Sequence, residues 1–251
     1  MPLTLLALPL MPEWFLVIAA LAILSVLSLS WPPLRISVLL LVLAAAAPLV
    51  QAALAASRAE YPEPAKSAGA RIRRWWVTAC LHVIQPLARL LGRIRHGLTP
   101  WRQRGGPSMV PRPLSRETWS EDWHAPELWL GELEARMRGA HAAVRRGGDY
   151  QRWDLETRVG ALGAARVRLG IEEHDAGRQM ARWRLWPRPS TPATVTTALL
   201  AALALGATLD HAWLAALLLG AAAGLLAWRV AADCGRALAT IERALDAGER
   251  A

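Results

Sequence analysis

Few residues in this sequence are equipped for chemistry. Its densest set of metal-capable ligands is Glu172-Glu173-His174-Asp175. That set runs into Ala176-Gly177, where a hairpin turn is expected, so it reads as a polar turn rather than a metal site. The remaining histidines lack the H-x-x-x-H or H-x-x-H spacing that sets two imidazoles on one helix face. No serine sits in a G-x-S-x-G elbow, and neither Cys80 nor Cys234 has a neighbouring base. Two cysteines leave no disulfide framework and no zinc cluster. Gly105-Gly106 is not followed by the G-K-[ST] of a phosphate loop. Glu121-Asp122 is adjacent in sequence, hence divergent in direction, and is expected to cap the next helix rather than act as a carboxylate pair. No catalytic constellation emerges, and no cofactor or metal is expected in this chain.

What does recur is arginine. Arg152, Arg158, Arg166, Arg168, Arg182 and Arg184 share one parity of three alternating segments, beside Asp154, Glu156 and Glu172. Opposite charges on neighbouring strands describe a solvated, self-paired face. Guanidinium forks in excess describe a face for phosphate or for a partner, with Arg166, Arg168, Arg182 and Arg184 as its candidates.

The elements that must carry this face are predicted within residues 116–190. Pro126 to Arg146 reads as a helix, with Leu130, Leu133, Met137, Ala140 and Val144 on one face and Gly147-Gly148 as its stop. The period then switches to two. Trp153–Val159, Ala165–Ile171 and Ala181–Leu185 alternate as three strands, joined by Gly160–Gly163 and by the Asp175–Gly177 turn. One helix on a three-stranded antiparallel meander makes a small cytoplasmic α+β domain with a thin core.

The rest of the chain is oily. It is 251 residues long, 54% hydrophobic and carries a net charge of +9, with 28 arginines to a single lysine. Residues 58–115 hold 11 basic and 2 acidic side chains, so the whole excess belongs to one stretch beside a very apolar segment. Nucleic-acid binding is one reading of such a pI. Juxtamembrane arginine marking the cytoplasmic side of a membrane protein is the one favoured here, with anionic lipid rather than nucleic acid as partner.

Trp14 and Trp31 bracket an apolar run and would stand ~26 Å apart on a helix, close to the bilayer core. Pro32-Pro33 breaks that helix, and Ile36–Ala56 returns as the second half of a hairpin within residues 1–57. A second hairpin is expected in 191–228, from Ala193–Leu209 and Ala212–Ala227, with Trp213 and Trp228 framing its last helix. A soluble helical hairpin is the alternative there, since both runs are short and Ala-rich. Residues 229–251 are expected as a cytoplasmic C-terminal helix, which places both termini inside.

Between the hairpins, Arg71–His96 reads as an amphipathic helix lying on the membrane. Trp76, Cys80, Val83, Leu87, Leu91 and Ile94 form one face; Thr78, His82, Gln85, Arg89, Arg93 and His96 form the other. Arg71, Arg73 and Arg74 beside Trp75 and Trp76 suit an anionic headgroup layer. A third full span would place its polar stripe in hydrocarbon, so the interfacial position is preferred. Residues 97–115 read as a Pro- and Gly-rich linker.

Three stretches resemble the C-terminal region of certain bacterial family-2 glycosyltransferases. They are QPLARLLGRIRHGLTPWR (85–102), GDYQRWDLETRVGALGAARV (148–167) and HDAGRQMARWRLWPR (174–188). The resemblance implies a multi-pass protein of the bacterial cytoplasmic membrane that serves surface polysaccharide synthesis. The family's catalytic domain needs a D-x-D and alternating strands and helices, and this sequence has neither. No catalytic residue carries over. The resemblance thus implies the membrane and accessory portion, with the nucleotide-sugar domain, and the divalent metal that would belong to it, on another segment or subunit. The alternative expectation is a non-enzymatic membrane adaptor or exporter subunit that binds its partner through residues 116–190.

Overall fold

An unbroken run of apolar and serine side chains makes Trp14–Leu27 a helix, α1. Pro32-Pro33 then turn the chain through a 3-10 turn, Pro32–Arg35, into α2, Ile36–Arg58. Prolines suit that place because the first N–H groups of a helix have no intrahelical acceptor. A third helix, α3, spans Ala68–Arg95, its start capped by the Ser67 hydroxyl accepting from the Ala70 N–H at 3.2 Å. The computed structural model describes residues 11–60, 67–96, 108–148 and 150–249. Pro62, Pro64, Asp149 and most of the expected linker, with Gly105-Gly106, lie outside the described residues.

Among the described residues three helices are long and apolar enough to cross a membrane: Pro32–Arg58, Thr191–Leu209 (α5) and Trp213–Glu249 (α6), with mean hydropathies of 2.4, 1.6 and 1.9. No more than 17% of any of their most apolar windows is buried. Large side chains such as Leu39, Val42, Leu205 and Leu217 stand open. Water does not support that much contiguous apolar surface, so the chain is a membrane protein. With 14 residues, α1 is shorter than a comfortable span.

The chain divides into two compact units, one of residues 1–99 with 207–215, the other of 100–206 with 216–251. In the first, Trp14 donates its indole N–H to the Ala44 carbonyl at 2.9 Å, tying α1 to α2. Also within it, Trp31 at the α1–α2 turn donates to Asp210 at 2.8 Å. Left-handed His211 (φ 56°) ends α5 there, with the His211 and Ala212 N–H groups returning to Thr208 and Ala207.

The second unit has five strands among its described residues, not the three that alternation predicts. They are β1 (Leu114–Ser120), β2 (Ala143–Arg146), β3 (Leu155–Arg158), β4 (Gly163–Glu173) and β5 (Gln179–Pro189). All pair antiparallel, in the order β1-β5-β4-β3-β2. The two added strands are the edges, and neither carries an apolar alternation. The residues of β1 on the covered side include Arg116 and Thr118, which bond Glu242 and Glu249 of α6. In β2, Arg146 reaches Glu134. Charged edge strands resist pairing with other chains, at the expense of a sequence signature.

The expected helix to Arg146 also ends early. Helix α4 is Pro126–Gly139, closed by His141 at φ 58°, with the His141 N–H on Arg138 and the Ala142 N–H on Met137. This Schellman motif commonly uses glycine, and histidine concealed it. Val144 therefore lies in β2. Nor do Glu121 and Asp122 cap α4, whose N-cap is Ala125 with Pro126 just inside.

One face of the sheet is covered by α4 and by the second half of α6. Leu133 and Met137 pack with Leu155, Val167, Trp183 and Leu185, and with Ala237, Leu238, Ile241, Ala244 and Leu245 of α6. Those α6 positions recur at helical spacing, so its apolar stripe narrows from all-round to one-sided along its length. The helix runs unbroken past residue 228. No helix among the described residues covers the other sheet face.

Candidate functional site

The register assigns seven arginines and three glutamates to the open face. Successive strand residues alternate sides, so a single parity fixes them all. Arg166, Arg168, Arg182 and Arg184 are indeed brought onto this one face. They differ in how they are partnered. Arg182 bridges Glu117 on β1 at 3.1 Å and Glu172 on β4 at 2.7 Å. Arg166 donates from Nε to Glu156 at 2.8 Å, and Arg158 to the same carboxylate at 3.0 Å. Glu156 is nearly buried, at 3% exposure. Burial would push its carboxyl up, but the bonds from Arg166 and Arg158 outweigh burial and hold it below the usual carboxylate value.

Arg168 and Arg184 stand directly opposite each other on β4 and β5. Both are exposed, and among the described residues neither meets a carboxylate. Like charges facing each other across a strand pair destabilise it. This pair, with Arg182 and Glu172, lines a shallow cavity of about 320 Å³. Its guanidinium forks are free to take two-oxygen acceptors such as carboxylate or phosphate.

Sequence reasoning missed Arg145 and Arg188, which share the face. Arg145 had been placed in a helix that ends six residues earlier, and Arg188 lay past the expected strand. Trp153 was expected in a strand. It precedes β3 instead, as a platform with the Arg166 guanidinium at 4.7 Å and that of Arg145 at 6.0 Å from its ring centre. Arg152 lies outside the strands and is exposed.

The Glu172–Asp175 segment forms the β4–β5 connection, with Gly177 at φ 77°. Two of its three carboxylates are occupied: Arg182 pairs with Glu172, and the Trp123 indole donates to Glu173. Among the described residues no cluster of three or more metal-ligating side chains exists.

On α3 the expected apolar stripe is uncovered. Trp76 is 59% and Leu91 51% exposed, with Cys80, Leu87 and Ile94 open along the same side. Ala79 and Leu90 are buried, and α3 meets α2 through the Trp75 indole donating to the Ser57 hydroxyl at 3.0 Å and through Pro86, which lines one cavity with Pro48 and Ala52. Arg71, Arg73 and Arg89 are exposed, while Arg93 pairs with Glu13 at 2.6 Å. Trp213 and Trp228 are exposed on α6. An amphipathic helix with an open apolar face has the form suited to a lipid interface. In vesicles Cys80 should therefore react with a charged maleimide roughly tenfold more slowly than a cysteine at Gln85→Cys in a Cys80→Ser background. Cys234 is buried and does not contribute to the label. Equal rates at the two positions would show that this face is wet.

No known protein family, no curated protein and no solved structure matches this chain.

Proposed function

We propose that this chain is a non-catalytic accessory subunit of the bacterial cytoplasmic membrane. Two helical hairpins anchor it, both termini and the small α+β domain lie on the cytoplasmic side, and the arginine face holds an acidic surface of a nucleotide-sugar transferase domain that builds surface glycan. The observation that carries the reading is the opposed Arg168–Arg184 pair, exposed and without carboxylates among the described residues. A fold tolerates two facing guanidiniums when binding relieves their repulsion. The basic stretch at 58–115 supports the cytoplasmic placement, because arginine flanking membrane segments is retained inside. The resemblance of residues 85–102, 148–167 and 174–188 to glycosyltransferase C-terminal regions supports carbohydrate assembly as the setting.

The test is coexpression with a nucleotide-sugar transferase domain, followed by copurification and a sugar-transfer assay in membranes. The doubly reversed variant Arg168→Glu/Arg184→Glu should lose copurification by about tenfold or more. Transfer should fall with it. Transfer that is the same with and without this chain would overturn the reading.

A further inference from the structure

A second cavity, of about 440 Å³, lies on the same sheet face where the sheet gives way to α5. Arg145, Arg158, Arg166 and Arg188 line it, with Glu156 as its only acidic side chain and Thr191 at its rim. Its size is that of an ordinary small-ligand pocket. Its charge is not ordinary.

Glu156 engages Arg158 and Arg166 through their Nε atoms, which leaves their terminal nitrogens available to another acceptor. Arg145 and Arg188 meet no carboxylate among the described residues. The Trp153 ring steadies the Arg145 and Arg166 guanidiniums from one side. Four planar forks converging on one space, three charges in excess, match the several oxygens and double charge of a phosphate monoester.

The location narrows the source of that phosphate. Strand β5 ends at Pro189 and α5 begins at Thr191, with Ser190 alone between them. Pro189, Pro192 and Ala193 form part of the cavity wall. Helix α5 is long and apolar enough to cross a membrane, and a helix that crosses holds its first turn at headgroup depth. A cationic pocket there meets anionic lipid at high local concentration.

We propose that this cavity binds the phosphate headgroup of an anionic lipid, with phosphate monoesters preferred over zwitterionic headgroups. It is distinct from the Arg168–Arg184 pair and does not depend on any protein partner.

The experiment uses the full chain in detergent and native mass spectrometry with phosphatidic acid, phosphatidylcholine or inorganic phosphate added. Wild type should retain phosphatidic acid about tenfold better than phosphatidylcholine. Arg145→Gln/Arg188→Gln should lose that preference by a similar factor. Among the described residues neither side chain has an ion pair to break, and an unchanged thermal midpoint verifies the fold; the single variant Arg188→Gln reports the same loss in part if the double variant is unstable. Arg168→Glu/Arg184→Glu should retain the lipid as wild type does, which separates this site from the partner surface. Unchanged lipid retention in Arg145→Gln/Arg188→Gln overturns the proposal, as does equal loss in Arg168→Glu/Arg184→Glu. Protection of wild type by inorganic phosphate as strong as by phosphatidic acid overturns the lipid assignment in favour of a free phosphate.

Discussion

Asp233→Ala is expected to destabilise the sheet unit by about 3 kcal/mol. The carboxylate is 3% exposed, accepts the Leu162 N–H at 3.1 Å and pairs with Arg236 at 3.0 Å. Truncation leaves the Leu162 N–H and a largely covered guanidinium without their acceptor. The neighbourhood has no slack for repair. A Cβ built on Gly160 would collide with this carboxylate, and one on Gly163 would lie 2.6 Å from the Cys234 sulfur. Those two glycines let the β3–β4 turn press onto α6, and Asp233 is the bond that holds it there. Thermal unfolding of the full chain in detergent should show a midpoint lowered by roughly 6–12 °C. Asp233→Asn keeps an acceptor for Leu162 and should lose about a third as much. Midpoints equal to wild type for both variants would mean that the turn does not dock on α6 through this group.

Glu156→Gln is the second large effect. It removes the charge shared by Arg158 and Arg166 from a site that is 3% exposed, with Arg166 itself 23% exposed at its side chain. Arg158, at 57%, is well solvated and contributes little, so the cost is about 2 kcal/mol rather than the larger value of a fully buried triad. The pH dependence has a definite sign. A carboxyl held below its unfolded value stabilises the fold above the unfolded carboxylate range, and that stability is lost as pH falls through the folded value. Wild type should therefore lose stability on acidification below ~pH 5, and the glutamine variant should lose less, because its difference from wild type closes as Glu156 protonates. A gap that stays constant down to acid pH would show that the charge at residue 156 is not what the arginines hold.

Much of the membrane portion was legible in the sequence. Hydropathy is a local sum, so the apolar tracts near Ile36–Arg58, Thr191–Leu209 and Trp213 onward can be read without knowing their neighbours. The stripe on α3 was legible for the same reason, since a 3.6-residue period lies within one helix. The parity of Arg166, Arg168, Arg182 and Arg184 also survived, because strand alternation is a property of the backbone itself. The early end of α4 was not legible. Histidine at a left-handed position gives no warning, and Ala140 and Val144 continued the apolar period past the true terminus.

The sequence by itself thus determined which stretches are oily and which face of the central strands carries arginine. Tertiary structure alone decided that β1 and β2 join as edges, because Arg116 and Thr118 of β1 and Arg146 of β2 answer carboxylates on α6 and α4, and Leu114 and Val144 alone form no apolar pattern. It also decided that the last half of α6 completes the core, and that Arg145 and Arg188 meet Arg158 and Arg166 in one cavity. Those outcomes rest on strand register and on helix docking. Both are set by contacts between residues far apart in the chain, which no local period records.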